Sequence, residues 1–111
     1  MSTQSNCVFC RIAAYQEPAK VWYVDNDIIV IKNRLNWVPV MLLVMPKEHM
    51  SQVQIWGSDL MPKLGDIAVE MGCIFAPGGF RILSNFGRHG MQSQSHGHLH
   101  VVGGVQLHEY A

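Results

Sequence analysis

Three histidines, His96, His98 and His100, alternate with Gly97 and Leu99 near the C-terminal end of a chain of 111 residues. In an extended strand that spacing puts all three imidazoles on one face and Gly97, Leu99 and Val101 on the other. A fold that holds this segment needs a sheet with one apolar face to cover and one chemically active face to leave open. Packed imidazoles disfavour one another's protonation, so the row has no evident stabilising role and reads as a site. Residues four apart on a strand lie about 13 Å apart, and metal–nitrogen bonds are about 2.1 Å. A regular strand therefore cannot offer His96 and His100 to one ion, and the rings must divide their work. An imidazole that donates one N–H to a carbonyl presents its other nitrogen as nucleophile or base, while a neighbour donates to an anionic oxygen. That pairing suits attack on phosphorus.

The rest of the chain supplies the sheet. Phe9 to Tyr15 reads as a short helix, with Phe9, Ile12 and Ala13 at helical spacing and Pro18 beyond its end. Val21–Val24 and Ile28–Lys32 read as a hairpin around Asp25-Asn26-Asp27. Met41 to Met45, bounded by Pro39 and Pro46, reads as a buried strand. Leu60, Leu64, Ile67, Ala68 and Met71 form one apolar stripe, which predicts a helix over Asp59 to Met71. Asp59 is its expected N-cap, Pro62 falls at the third helical position, and Gly72 is placed to end it in a left-handed cap. A Pro77-Gly78-Gly79 turn leads to strands over Phe80–Asn85 and His96–Val102. The order predicts an α+β fold: a mainly antiparallel sheet of about five strands, one long helix and a short N-terminal helix. One domain over 1–111 is expected, with residues 1–6 flexible.

Composition narrows the function classes. Eight basic and eight acidic residues leave no net charge, which argues against a nucleic acid polymer as partner. No stretch approaches the ~20 apolar residues of a membrane span, and Met1 to Asn6 lacks the features of a signal peptide. Three cysteines, an odd number, point away from a disulfide framework and toward a reduced, cytoplasmic setting. Only 14% of residues are charged, against roughly 25% in ordinary soluble domains. A second copy covering part of the surface, hence a homodimer, is the expectation. Cys7-x-x-Cys10 is half of a tetrahedral zinc site that His49 and one histidine of the row would complete; two buried thiols or a redox pair remain open.

The segment NFGRHGMQSQSHGHLHVVGG, Asn85 to Gly104, resembles the signature of the histidine-triad (HIT) family, especially its Hint-like branch. Pro46-Lys47-Glu48-His49 is similar to that family's upstream element, Gly79-Phe80-Arg81 to the stretch before its signature strand, and Cys7 to Ile12 to the opening of its zinc-bearing members. The resemblance runs from about Cys7 to His108 and implies the HIT-like fold. It implies a hydrolase or transferase acting on a phosphoramidate or phosphoester of a purine nucleoside monophosphate, through a covalent nucleotidyl-histidine. His98 is then the nucleophile, His100 and Ser93 handle the phosphate, and Gln92 contacts phosphate and leaving group. Asn85 holds the nucleotide, Val8, Phe9, Ile12 and Ile31 line the base pocket, and Asn33 stands at the ribose position. In the related galactose-1-phosphate uridylyltransferases the first histidine of the motif ligates zinc, which implies a structural Zn2+ on Cys7, Cys10, His49 and His96. Alternatives are a dinucleoside polyphosphate hydrolase and a nucleotide-binding interaction module with little turnover.

Several positions depart from the family pattern. Val40-Met41 replaces a usual Gly-His, whose histidine bonds within the triad network. Asn33 replaces an acidic residue that contacts the ribose and is expected to accept more weakly. Gly97 replaces a bulky residue, with an expected cost in strand stability, and Met91 replaces a common glycine. Glu109 and Tyr110 occupy the region where the Hint branch carries a Trp that crosses the dimer.

Overall fold

Alternation in β2 and β3 organises the molecule, because each strand is apolar on both faces and must be covered twice. The computed structural model describes residues 4–109. Its elements are α1 (Val8–Ala13), β1 (Val21–Val24), β2 (Ile28–Lys32), β3 (Val40–Pro46), α2 (Gln52–Trp56), α3 (Met61–Phe75), β4 (Phe80–Leu83) and β5 (Leu99–Gly103). The strands form one antiparallel sheet in the order β1-β2-β3-β5-β4. This is the expected α+β architecture of five strands and one long helix. No helix among the described residues is long and apolar enough to cross a membrane.

Ile28, Val30, Leu42, Val44, Leu99 and Val101 face α3, which meets them with Leu64, Ile67, Ala68 and Met71. Ile29, Ile31, Leu43 and Met45 face the other way, against Cys7, Phe9, Cys10 and Ile12 of the N-terminal segment. The short α1 cannot cover this second face fully, and the uncovered part becomes a cavity. The β1–β2 turn is tied by Asp25, whose Oδ1 accepts from the backbone N–H groups of Asp27 and Ile28, each at 2.8 Å. Its other oxygen meets Lys63 of α3 at 2.9 Å and accepts from the Tyr23 hydroxyl at 2.6 Å, so the hairpin is anchored to the long helix. Burial alone would raise the Asp25 carboxyl's pKa, but the bonds from Tyr23 and Lys63 hold it well below the usual carboxylate range.

Several element boundaries differ from the sequence reading. The helix expected from Asp59 begins at Met61 after a Leu60 N-cap that makes no side-chain cap bond, with Pro62 in its first two positions. Ser58 tightens the approach instead, its Oγ accepting from the Leu60 N–H at 3.2 Å. Nor does the helix stop at Gly72; it continues to Phe75. Gly72 is needed for contact, since a Cβ there would come within 2.3 Å of the Phe80 ring. α1 ends at Ala13 rather than Tyr15, which has φ 59° beyond the helix. β4 stops at Leu83 rather than Asn85, and β5 begins at Leu99 rather than His96. Of residues 1–6, the stretch 4–6 forms a turn in which the Gln4 carbonyl accepts from the Cys7 N–H at 3.0 Å. Residues 1–3 lie outside the described residues, as does Tyr110.

The five-residue helix α2 had no counterpart in the sequence reading. Its signal is a capping box: Ser51 Oγ accepts from the Gln54 N–H at 3.1 Å, and Gln54 Oε1 accepts from the Ser51 N–H at 2.8 Å.

Candidate active site

The floor of the site is a row across the sheet. Ile31 pairs with Leu43, and Leu43 with His100, so these three side chains stand side by side on the face that α1 partly covers. Val8, Phe9 and Ile12 of α1 close over the row, leaving a cavity of about 420 Å3. His98, His100, Ser93, Gln94 and Asn33 also line it. The structure thus brings together His98, His100, Ser93, Asn33 and all four apolar residues singled out in the sequence.

Asn85 and Gln92 are placed elsewhere. The Asn85 Nδ2 donates to the Gly90 carbonyl at 2.7 Å, and Gln92 spans its loop, accepting from the Gly87 N–H at 2.8 Å and donating to the Gln94 carbonyl at 2.9 Å. Both hold the shape of the loop before the histidines, while Gln94, which the sequence reading did not single out, reaches the cavity lining. Met91 adopts φ 64° in this loop, the left-handed region that explains why glycine is common at this position.

The three histidines do not share a regular strand. Only His100 belongs to β5; His96 and His98 lie on the irregular segment leading into it. Their rings nevertheless remain neighbours, with His98 and His100 centroids 4.9 Å apart and Phe9 set edge-on to His96 at 5.8 Å and His98 at 5.2 Å. Hydrogen bonds to carbonyls orient the two buried rings. His96 Nε2 donates to the Pro46 carbonyl at 2.7 Å, and His98 Nδ1 donates to the His96 carbonyl at 2.8 Å. Each ring therefore has one nitrogen engaged and one lone pair free: Nδ1 on His96, Nε2 on His98. Met41 is buried in β3 opposite Val102, away from His96, which is held by the Pro46 carbonyl.

Burial keeps these rings neutral. It lowers the pKa of His98, and it lowers that of His100 to about 4, with His98 adding to the effect. The His96 ring is pushed down to about 4 by burial and by its neighbours His49 and His98. A neutral imidazole with a free nitrogen is the form that attacks an electrophile.

The backbone of His98 is held from α2. Gln52, 2% exposed, accepts from the His98 N–H through Oε1 at 3.1 Å. On the other side, Ser84 Oγ donates to the His98 carbonyl at 3.4 Å and accepts from Trp56 Nε1 at 3.2 Å. Gly97 sits between two histidines and against α2, its N–H donating to the Met50 carbonyl at 2.6 Å. A Cβ at Gly97 would meet the Ser51 carbonyl oxygen at 2.8 Å and Ile55 Cγ2 at 2.9 Å. The glycine is thus required by close approach and does not weaken a strand, since none passes through it.

Behind this site, Cys7, Cys10, His49 and His96 gather four ligand atoms within 4.8 Å of one another. Cys7 Sγ lies 3.5 Å from His96 Nδ1, and Cys10 Sγ lies 3.3 Å from His49 Nδ1 and 3.5 Å from His96 Nδ1. Tetrahedral zinc with ordinary Zn–S and Zn–N bonds separates its sulfur and nitrogen ligands by about 3.6 Å. The donor set and its spacing fit that ion, and the free nitrogen of His96 is the one aimed at the thiols. Cys7 doubles as the N-cap of α1, its Sγ accepting from the Cys10 N–H at 3.4 Å.

An antiparallel α+β sheet carrying oriented imidazoles beside an apolar cavity defines a class of small domains. The chain belongs to the histidine-triad (HIT) family: the family model described as "Scavenger mRNA decapping enzyme C-term binding" matches residues 6–109. It is similar to Protein HitA of Neisseria gonorrhoeae, 32% identical over 102 residues that make up 88% of this chain and 95% of that protein. Among solved structures it resembles a HIT family hydrolase from Clostridium thermocellum, with TM-score 0.88 and 30% identity over 97% of this chain and 98% of the other. A zinc-bound histidine triad family protein from Mycobacterium smegmatis superposes with TM-score 0.69 at 28% identity, covering 88% of this chain and 74% of that one.

Gly97→Ala is expected to lower stability by about 1–3 kcal/mol, because the extra carbon has backbone and Ile55 in its way. Denaturant unfolding checks this, and an unchanged midpoint would show that the 96–98 segment is not held against α2.

Proposed function

We propose that the chain is a hydrolase or transferase of purine nucleoside monophosphates linked to a leaving group through a phosphoramidate or phosphoester. The observation that carries this reading is the His98 hydrogen bond: Nδ1 is engaged by the His96 carbonyl, so a neutral ring lines the cavity with Nε2 free. Nε2 attacks phosphorus, the P–N bond to His98 forms, and the bond from phosphorus to the leaving nitrogen or oxygen breaks; a proton from solvent completes the leaving group. Water then attacks the same phosphorus, the P–N bond breaks, and the nucleoside monophosphate and a proton are released. Ser93 and His100 line the cavity beside His98 and contact the phosphate oxygens. The slot of Val8, Phe9, Ile12 and Ile31 takes the flat base. Asn85 and Gln92 act by shaping the loop that carries Ser93. The hydrolase from Clostridium thermocellum supports the reaction class by its likeness.

Cys7, Cys10, His49 and His96 hold zinc in this reading, and the ion's contribution is to fix ligand positions. The zinc-bound protein from Mycobacterium smegmatis and the ligand spacing support it. A homodimer is proposed as well. β4 ends the sheet with one edge unpaired among the described residues, and Ile82 on it is 37% exposed. An open edge strand beside exposed apolar groups is a place for a second copy to pair. Sedimentation velocity at micromolar concentration should then find dimers, and a monomer would refute the assembly.

His98→Ala should cut turnover of an adenosine 5′-phosphoramidate by at least ~1,000-fold while the protein stays folded. Mass spectrometry of the unmodified protein during turnover should trap a nucleotidyl adduct on His98; substantial activity in the variant would end the covalent reading. Cys10→Ser should lose stoichiometric zinc, measured by elemental analysis, and unfold at lower temperature. Full zinc content in that variant would remove Cys10 from the ligand set.

A further inference from the structure

β5 parts from both of its neighbours before the chain reaches the nucleophile. Its pairing with β3 ends at Leu99 opposite Val44, and its pairing with β4 ends at His100 opposite Leu83. His98 therefore lies beyond both ladders, yet in-line attack needs its ring held to within about 0.5 Å. Side chains take over where the sheet stops. Gln52 Oε1 accepts from the His98 N–H at 3.1 Å, and Ser84 Oγ donates to the His98 carbonyl at 3.4 Å. These bonds act on the two peptide planes that flank one Cα. The N–H belongs to the plane before it and the carbonyl to the plane after it. Together they set φ and ψ of His98, and with them the direction of its Cα–Cβ bond. The Nδ1 bond to the His96 carbonyl then fixes the rotation of the ring about that direction.

The chemistry of the two supports is specific. Gln52 is 2% exposed, and its Nε2 is the one buried side-chain nitrogen or oxygen without a hydrogen-bond partner among the described residues. A buried amide that leaves its donor unused costs stability, so its place here is explained by its other half, the acceptor. Neighbouring residues seat it: Ser51 caps α2 directly before Gln52, and the Met50 carbonyl accepts from the Gly97 N–H at 2.6 Å. The Ser84 hydroxyl has a single proton on a free rotor. Trp56 Nε1 donates to its oxygen at 3.2 Å, which leaves that proton for the His98 carbonyl. Gln52, Ser84 and Trp56 all lie outside the cavity lining. We infer that Gln52 and Ser84, the latter oriented by Trp56, are positioning residues that aim the His98 imidazole at phosphorus. The inference rests on the nucleotide reading of the site and adds to it residues that touch no substrate.

Steady-state kinetics with an adenosine 5′-phosphoramidate test it. Gln52→Met keeps the length of the side chain and removes the acceptor. It should lower kcat at least about tenfold and leave KM within about twofold. In Gln52→Glu the buried acid stays neutral and accepts through its carbonyl oxygen, so kcat should return to within about threefold of the unmodified protein. Amide hydrogen exchange at His98 should quicken in Gln52→Met while the core strands stay protected. Ser84→Ala should also lower kcat at constant KM. Trp56→Phe should lower it less, and adding Trp56→Phe to Ser84→Ala should change nothing further, because Trp56 acts only through the hydroxyl. Unchanged kcat in Gln52→Met, a change confined to KM, or Gln52→Glu as slow as Gln52→Met would overturn the inference and leave the nucleotide site standing. If Gln52→Met does not fold, the serine decides: full kcat in Ser84→Ala, or a further loss in the double variant, overturns it equally. No turnover by the unmodified protein would remove the nucleotide reading, and this inference with it.

Discussion

Two hydrogen bonds, from His96 to the Pro46 carbonyl and from His98 to the His96 carbonyl, set the geometry on which the rest of the site depends. Each fixes a ring by its protonated nitrogen and so decides which lone pair is free. One points to the thiols, the other belongs to the ring that lines the cavity. The metal cluster and the proposed nucleophile are thus consecutive links of one chain, two residues apart. Anything that moves His96 moves the carbonyl that orients His98.

That chain would be loose without packing around it. Phe9 lies against both rings, burial strips them of water, and the resulting neutrality removes the repulsion that three clustered imidazolium groups would suffer. α2 contributes from the opposite side, holding the N–H of His98 through Gln52 and its carbonyl through Ser84 and Trp56. Gly97 lets the backbone approach closely enough for those contacts. The same economy appears at Gly72, where the absence of a side chain lets Phe80 lie on α3.

The departures from the family pattern become intelligible in this frame. At Met41 the chain carries a buried apolar side chain opposite Val102, and His96 is held independently of it by the carbonyl of Pro46. Asn33 accepts from the Leu35 N–H of its own loop through Oδ1. Met91 occupies a left-handed position on an exposed loop, where a long side chain meets no neighbour to exclude it.

Much of this was legible in the residue order alone. The continuous apolar runs of β2 and β3, which need cover on both faces, and the apolar stripe of α3 determine an α+β sheet. The Cys7, Cys10, His49 and His96 group and the cavity's apolar wall were reached through the family resemblance, not through periodicity. The tertiary structure decided the remainder. His96 and His98 leave the strand because β5 pairs with β3 only from Leu99, and α2 occupies the space beside Gly97. Asn85 and Gln92 turn to their own loop because backbone groups five residues away need partners that no local pattern announces. Which nitrogen of a ring is free, and which end of an amide faces a cavity, depends on a neighbour far away in sequence. Periodicity carries no information about such neighbours, and so those choices appear only in the folded molecule.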